Sequence, residues 1–199
     1  GYYTTNVNII MKPTVVDYDG LRIACIPWIN NENYDATMKY LSKVDADWVG
    51  SHLELEGFEM MRGVTNTHGM SKNTFKRFEC VMSGHFHTKS AQDNIHYLGS
   101  QFEFTWADAS DPKYFHIIDT EDRSLTPVRV NQTLFKKVLY NDEKIDYNNY
   151  NCNELIDKFV KVVVVSKTDH FMFDRFIDRI QSVDHHDLKI AETFDEYLG

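Results

Sequence analysis

Ser83-Gly84-His85-Phe86-His87-Thr88-Lys89-Ser90 is the stretch on which the reading of this chain turns. Its two histidines stand two residues apart, just past the apolar run Cys80-Val81-Met82, so both imidazoles can point into one cavity. A third histidine, His52, closes Gly50-Ser51-His52 behind a second apolar run, Trp48-Val49. Neutral imidazole is a common ligand for Mn, Fe, Zn and related ions. In open α/β sheets functional residues gather where strands end at their C-terminal edge. Both histidine groups sit at such expected strand ends, which makes His52, His85 and His87 candidate metal ligands.

Outward from these runs, hydrophobic patterning divides the chain into elements. Val7 to Ile10 reads as a short strand. Thr14 to Ile26 reads as a hairpin turning at Asp19-Gly20, a strong short turn signal, and Pro27 ends it. Asp35 to Val44 has helical spacing, with Asn33 or Asp35 as N-cap. Asp47 to Ser51 and Phe78 to Met82 are the strands that deliver the histidines, and Ile95 to Ser100 is a further strand and turn. Glu54 to Ser71, polar and with three glycines, reads as a loop over the site. Tyr114–Asp119 and Leu125–Val130 form a hairpin. Asn141 to Asn153 reads as a linker or long loop. Phe159 to Val165 is a strong strand. A helix capped by Thr168 or Asp169 then runs to Ile180, with Phe173, Phe176, Ile177 and Ile180 on one face. The expected organisation is α/β, with residues 1–127 as one domain and 128–199 as a small α+β unit.

The 199 residues carry a formal net charge of −9, which argues against a protein that grips nucleic acid by bulk charge alone. Local basic groups remain, and Lys136, Lys137, Lys158 and Lys161 in the second region are candidates for contact with phosphate. Three scattered cysteines form no CxxC pair, so neither a disulfide framework nor a zinc knuckle is expected. No apolar run approaches the ~20 residues of a membrane span, and the opening Gly1-Tyr2-Tyr3-Thr4 has no basic-then-apolar pattern. A reducing, cytoplasmic setting fits this usage.

His52, the Gly84-His85-Phe86-His87 loop and Tyr97-Leu98-Gly99-Ser100, in that order, resemble the calcineurin-like metallophosphoesterase superfamily. The closer likeness is to its SbcD-type DNA repair and recombination nuclease branch. The aromatic stretch Gln101 to Asp108, and the hairpin leading into a small appended unit, resemble the version carried by T-even-like phages. The resemblance implies a four-layer α/β β-sandwich nuclease domain followed by a small α+β DNA-capping domain. It implies two metal ions, Mn first with Mg, Fe or Zn as alternatives, with His52 and His85 on one ion and His87 on the other. It implies DNA as substrate, an SMC-like ATPase as partner, a homodimer in the complete enzyme, and host cytoplasm as location. The family's DxH, GD and GNH motifs lie upstream of these histidines and are not found in the matching place here. The likeness is therefore to the C-terminal part of such a subunit. No residue is assigned a catalytic role beyond ligation, and the chain on its own is expected to hydrolyse DNA poorly or not at all.

Two other readings compete. One is a non-catalytic module that binds DNA or the ATPase and keeps a vestigial metal site. The other is a metallophosphoesterase acting on small phosphoesters. Mixed His/Asp/Asn ligation suits Mn or Fe better than the all-oxygen sites favoured by Mg.

Overall fold

The structure, a computed structural model, describes residues 7–61 and 63–192. It is mixed α/β, with one large mixed sheet, smaller sheets and only two α-helices among the described residues. The chain divides into two compact units. The first comprises the residues up to Gln101 together with Pro112–Val130; the second comprises Phe102–Asp111 together with the chain from Asn131.

The first unit is built on β1 (Thr14–Tyr18), β2 (Leu21–Cys25), β3 (Trp48–Ser51), β6 (Cys80–Ser83), β7 (Ser90–Gln92) and β8 (Ile95–Tyr97). Their order across the sheet is β1-β2-β3-β6-β8-β7. Strands β2, β3, β6 and β8 run parallel, while β1 and β7 pair antiparallel at the two edges. A parallel strand is covered on both faces, and so it reads as a short apolar run rather than as an alternation. Val49, Val81 and Ala24 lie fully buried on one face, with Leu41, Phe75, Phe86 and Tyr97. Leu21, Ile23, Trp48, Cys80 and Met82 form a separate core on the other. The β1–β2 turn holds Asp19 and Gly20 at φ +52° and +90°, and Gly20 N–H donates to Asp17 Oδ1 at 2.7 Å. Two consecutive positive φ values are what a tight hairpin turn requires.

Helix α1 (Tyr34–Leu41) ends where Arg77 donates to the carbonyls of Leu41 and Val44, at 2.6 and 2.7 Å. A guanidinium there satisfies orphan carbonyls at the negative end of the helix. Two expectations are corrected in this unit. Residues 7–10 form no strand, and Val7 and Ile9 lie exposed. The stretch after Glu54 is no open loop: it holds β4 (Glu59–Met61), β5 (Val64–Thr65) and a bridge between Leu55 and Met70. Leu55 and Phe58 are buried in the core. Buried Asn66 takes the place of a backbone partner there, donating to Leu55 O at 3.1 Å and to His68 O. The unit also contains the hairpin β9 (Lys113–Asp119) and β10 (Ser124–Val130).

In the second unit, β11 (Phe135–Asn141), β12 (Phe159–Ser166) and β13 (Asp187–Ala191) form an all-parallel sheet in that order. Helix α2 (His170–Gln181) crosses between β12 and β13, and the side chain of Asp169 caps it by accepting from Met172 N–H at 3.0 Å. Phe173, Phe176, Ile177 and Ile180 pack against Val138, Tyr140, Val160 and Val162. The sequence reading missed β11 and β13. It also took 141–153 for a linker, whereas those residues make two 3-10 turns, Tyr147–Asn149 and Cys152–Leu155, whose Tyr147, Cys152 and Leu155 are core residues. Arg179 holds the first turn by donating to the carbonyls of Tyr147, Asn148 and Tyr150. Phe102–Asp111 belongs to this unit through Glu103, whose buried carboxylate accepts from Ser110, Leu134 and Phe135 N–H at 3.1, 2.7 and 2.8 Å.

Candidate metal centre and basic sheet face

The parallel strands of the first unit all deliver side chains to one edge of the sheet. Trp28 follows β2, His52 follows β3, His85 and His87 follow β6, and Gly99 follows β8. Pairing continues into this edge: Ile26 N–H donates to Gly50 O at 2.9 Å, Gly84 N–H to Ser51 O at 3.1 Å, Leu98 N–H to Ser83 O at 2.9 Å and Ser100 N–H to His87 O at 3.0 Å. The loops are therefore extensions of the sheet, with backbone positions set by ladder bonds.

His52 and His85 meet there. His52 Nε2 and His85 Nδ1 lie 3.3 Å apart, with the rings edge to face at 86°. Two nitrogens that share an ion at ~2.1 Å, with an angle between octahedral and tetrahedral, stand about 3.0–3.4 Å apart, so the donor pair fits one metal ion. Partial burial, helped by the charge of His85, lowers the pKa of His52 and favours the neutral ring that ligation needs. His85 holds φ +85°, a conformation rarely adopted by a residue with a side chain.

The glycines of the two motifs have steric causes. A Cβ on Gly84 would sit 2.8 Å from His52 Nδ1, so the His52 ring can lie across this backbone only if residue 84 has no side chain. Gly99 has φ +74°, and a Cβ there would stand 3.0 Å from both His87 O and Lys89 N. Tyr97 and Ser83 grip the chain just after His52. The Tyr97 hydroxyl accepts from Leu55 N–H and donates to Leu53 O, both at 3.0 Å, and Ser83 Oγ accepts from Leu53 N–H at 2.9 Å. Burial pushes the Tyr97 phenol up to about 12.

The structure thus brings His52 and His85 together. His87 is exposed on the same loop, and its carbonyl accepts from Ser100 N–H and Lys113 Nζ. Among the described residues no group of three or more His, Cys, Asp or Glu side chains is arranged to hold a metal ion. Trp28 was not foreseen: it is 49% exposed, and its ring lies 5.4 Å from His52 and 5.7 Å from His85. A lone aromatic after a proline carries no periodic signal.

The four candidate lysines separate by environment. Lys136 pairs with Glu154 at 2.7 Å, and Lys158 Nζ donates to Thr133 O. Lys161 is buried on the sheet face opposite α2, with Nζ 5.0 Å from the centre of the Trp106 ring. Lys137 is half-buried and lies directly beside it in register.

No family model matches the chain. The chain is similar to exonuclease subunit 1 of enterobacteria phage T4. The two are 35% identical over 146 residues, which cover 73% of this chain and 43% of the phage protein. The chain therefore spans less than half the length of that relative. Among the described residues no helix is long and apolar enough to cross a membrane.

Proposed function

We propose that this chain carries the distal half of a dimetal phosphodiesterase site in a metal-dependent DNA exonuclease subunit of the metallophosphoesterase superfamily. The observation that carries the reading is the His52–His85 pair, two imidazole nitrogens 3.3 Å apart at the C-terminal edge of parallel strands. The name of the phage relative, an exonuclease subunit, supports it. On this reading His52 and His85 hold one ion and His87 a second, with Mn as the first choice. A bound metal pair would neutralise phosphoryl charge and lower the pKa of a water.

The remaining roles belong to the chain itself. Gly84 leaves room for the His52 ring, the strained backbone of His85 aims its imidazole, and Tyr97 and Ser83 fix the segment that follows His52. Trp28 covers one side of the pair and shields it from bulk water. An SMC-like ATPase, a homodimer and the capping role of the second unit are further parts of the proposal and rest on the resemblance. The test is Mn(II) binding by electron paramagnetic resonance, paired with nucleotide release from linear duplex DNA by a full-length subunit carrying this region. His52→Ala and His85→Ala should each weaken Mn binding at least tenfold and abolish release. Unchanged Mn affinity in both variants would sink the reading.

A second reading has its own observation. Two converging imidazoles alone make a weak site, which suits a DNA-binding module whose metal centre is vestigial. Mn-independent DNA binding without any Mn-dependent hydrolysis in the full-length subunit would favour it.

A further inference from the structure

Trp28 stands apart from the chain's two other tryptophans. Trp48 is 2% exposed and Trp106 is half-buried beside Phe135 and Lys161, while Trp28 is 49% exposed at the sheet edge where His52 and His85 meet. A single exposed apolar side chain is ordinary, but this one is held from both sides. Before it, Ser51 Oγ donates to Ile26 O at 2.9 Å, and Pro27 fixes the backbone between them. After it, Asn33 Nδ2 donates to the Trp28 carbonyl at 2.9 Å, and Asn33 Oδ1 accepts from Asn30 N–H at 2.9 Å. Asn30 Oδ1 in turn accepts from Glu32 and Asn33 N–H, at 2.9 and 3.1 Å. Asn33 is also the N-cap of α1, where an asparagine side chain ordinarily accepts from the first helical turn. It makes no such bond here. The side chain placed to close the helix is committed instead to the loop that carries Trp28.

The ring's surroundings give this placement a use. The His52 and His85 imidazoles lie at 5.4 and 5.7 Å, tilted by 53° and 41°, and half of the Trp28 surface still stays open to solvent. Such separations equal roughly one to two steps of a nucleic-acid strand at ~3.4 Å each. A base laid on the open part of the indole therefore belongs to the nucleotide beside a phosphate held at the imidazoles. Aromatic side chains stack on single-stranded bases whatever the sequence, because every base has a π face. An uncharged ring also suits a chain of net charge −9, since stacking draws nothing from bulk positive charge.

We propose that Trp28 is a nucleobase-stacking platform that seats the nucleotide next to the phosphate bound at the His52–His85 centre. The proposal rests on the nuclease reading for where that phosphate lies. The platform accepts any base and favours purines over pyrimidines, whose smaller rings cover less of the indole.

The test is hydrolysis of linear duplex DNA at saturating Mn by a full-length subunit carrying this region, with a single abasic nucleotide walked through the terminal positions of each strand end. In the wild type one abasic position should raise KM about five- to hundredfold, the range for one base on one aromatic ring, and leave kcat within about twofold. Trp28→Ala should raise KM on intact DNA by the same factor and lose nothing more when that base is missing. Trp28→Phe should recover most of the loss on intact DNA. Tyr18→Ala removes a ring of similar exposure at the opposite edge of the sheet and should change neither constant. An equal penalty for Trp28→Ala on intact and abasic DNA, or a loss in kcat alone, would mean that the ring only shields the ions, and the platform would be overturned. A second readout needs neither metal nor hydrolysis. A single-stranded oligonucleotide added in EDTA should quench the tryptophan fluorescence of the wild type and leave that of Trp28→Ala unchanged; equal quenching of both would also overturn the platform. Unchanged Mn affinity in His52→Ala and His85→Ala would sink the nuclease reading on its own, and the EDTA readout would then decide the platform alone.

Discussion

Tyr97→Phe removes one oxygen atom and, with it, both bonds by which Tyr97 holds the chain beyond His52. In the wild type the buried hydroxyl accepts from Leu55 N–H and donates to Leu53 O. Phenylalanine keeps the ring against Phe58 and Phe86, whose centroids lie 4.8 and 4.6 Å away, so little packing is lost. What remains is a buried N–H at Leu55 that has lost this acceptor, and a Leu53 carbonyl left with a long 3.4 Å bond from Ser83. An unsatisfied buried group costs ~1–3 kcal/mol, so the substitution should destabilise the first unit by about 2–3 kcal/mol. For a chain of this length that is a fall of roughly 5–10 °C in its melting transition. Urea denaturation followed by circular dichroism measures it, and amide exchange at Leu55 localises it. The wild-type advantage also has a definite pH dependence. The phenol is raised from 10 to about 12 in the folded state, so the folded chain holds a proton that the unfolded chain has lost between those values. Stability from this group is complete below about pH 10 and declines as pH climbs toward 12. A loss below about 0.5 kcal/mol at pH 7, or unchanged exchange at Leu55, would refute the reasoning.

Three further outcomes are expected. Gly84→Ala puts a Cβ 2.8 Å from His52 Nδ1; the ring must move by about 0.6 Å to restore van der Waals contact, so Mn affinity should fall severalfold while the fold persists, as calorimetric titration beside a melting curve would show. Asp169→Ala removes the cap on Met172 N–H and should cost ~1 kcal/mol, confined to the second unit; an equal loss of exchange protection in the first unit would contradict this. Cys80, whose thiol is pushed up to about 11 by burial and by Glu79, should resist a thiol reagent at pH 8 while half-exposed Cys25 reacts first, a ranking that mass spectrometry of the labelled peptides reads directly.

The sequence announces the strands that make the site because they are buried on both faces: Trp48-Val49 and Cys80-Val81-Met82 are short apolar runs, and a histidine stands where each stops. The motif glycines were visible, but their cause was not. That Gly84 exists for the sake of His52, 32 positions earlier, is a fact of packing. Strands β11 and β13 escaped notice because they alternate instead. In Phe135–Asn141 the pair Lys136-Lys137 splits Phe135 from Val138, in Asp187–Ala191 Lys189 splits Leu188 from Ile190, and only a period-2 count, with Val138 and Tyr140 or Leu188 and Ile190 on one side, would have found them. The stretch after Glu54 looked like a loop because its strands are only two or three residues long and one amide side chain, Asn66, bonds where a strand partner would.

The segment Phe102–Asp111 has a topological consequence. The chain leaves the first unit after Gln101, returns at Pro112 for one hairpin, and leaves again after Val130. Three covalent tethers therefore join the two units, where tandem domains have one. A protease nick at any one of them leaves at least one unit assembled from both fragments. A truncation at Val130 strips the second unit of its sheet yet leaves Glu103 and Trp106 stranded without Leu134, Phe135 and Lys161. The separable module is therefore discontinuous: a faithful dissection must excise both pieces and splice Gln101 to Pro112, and no swap of the second unit between relatives can succeed as a single contiguous exchange.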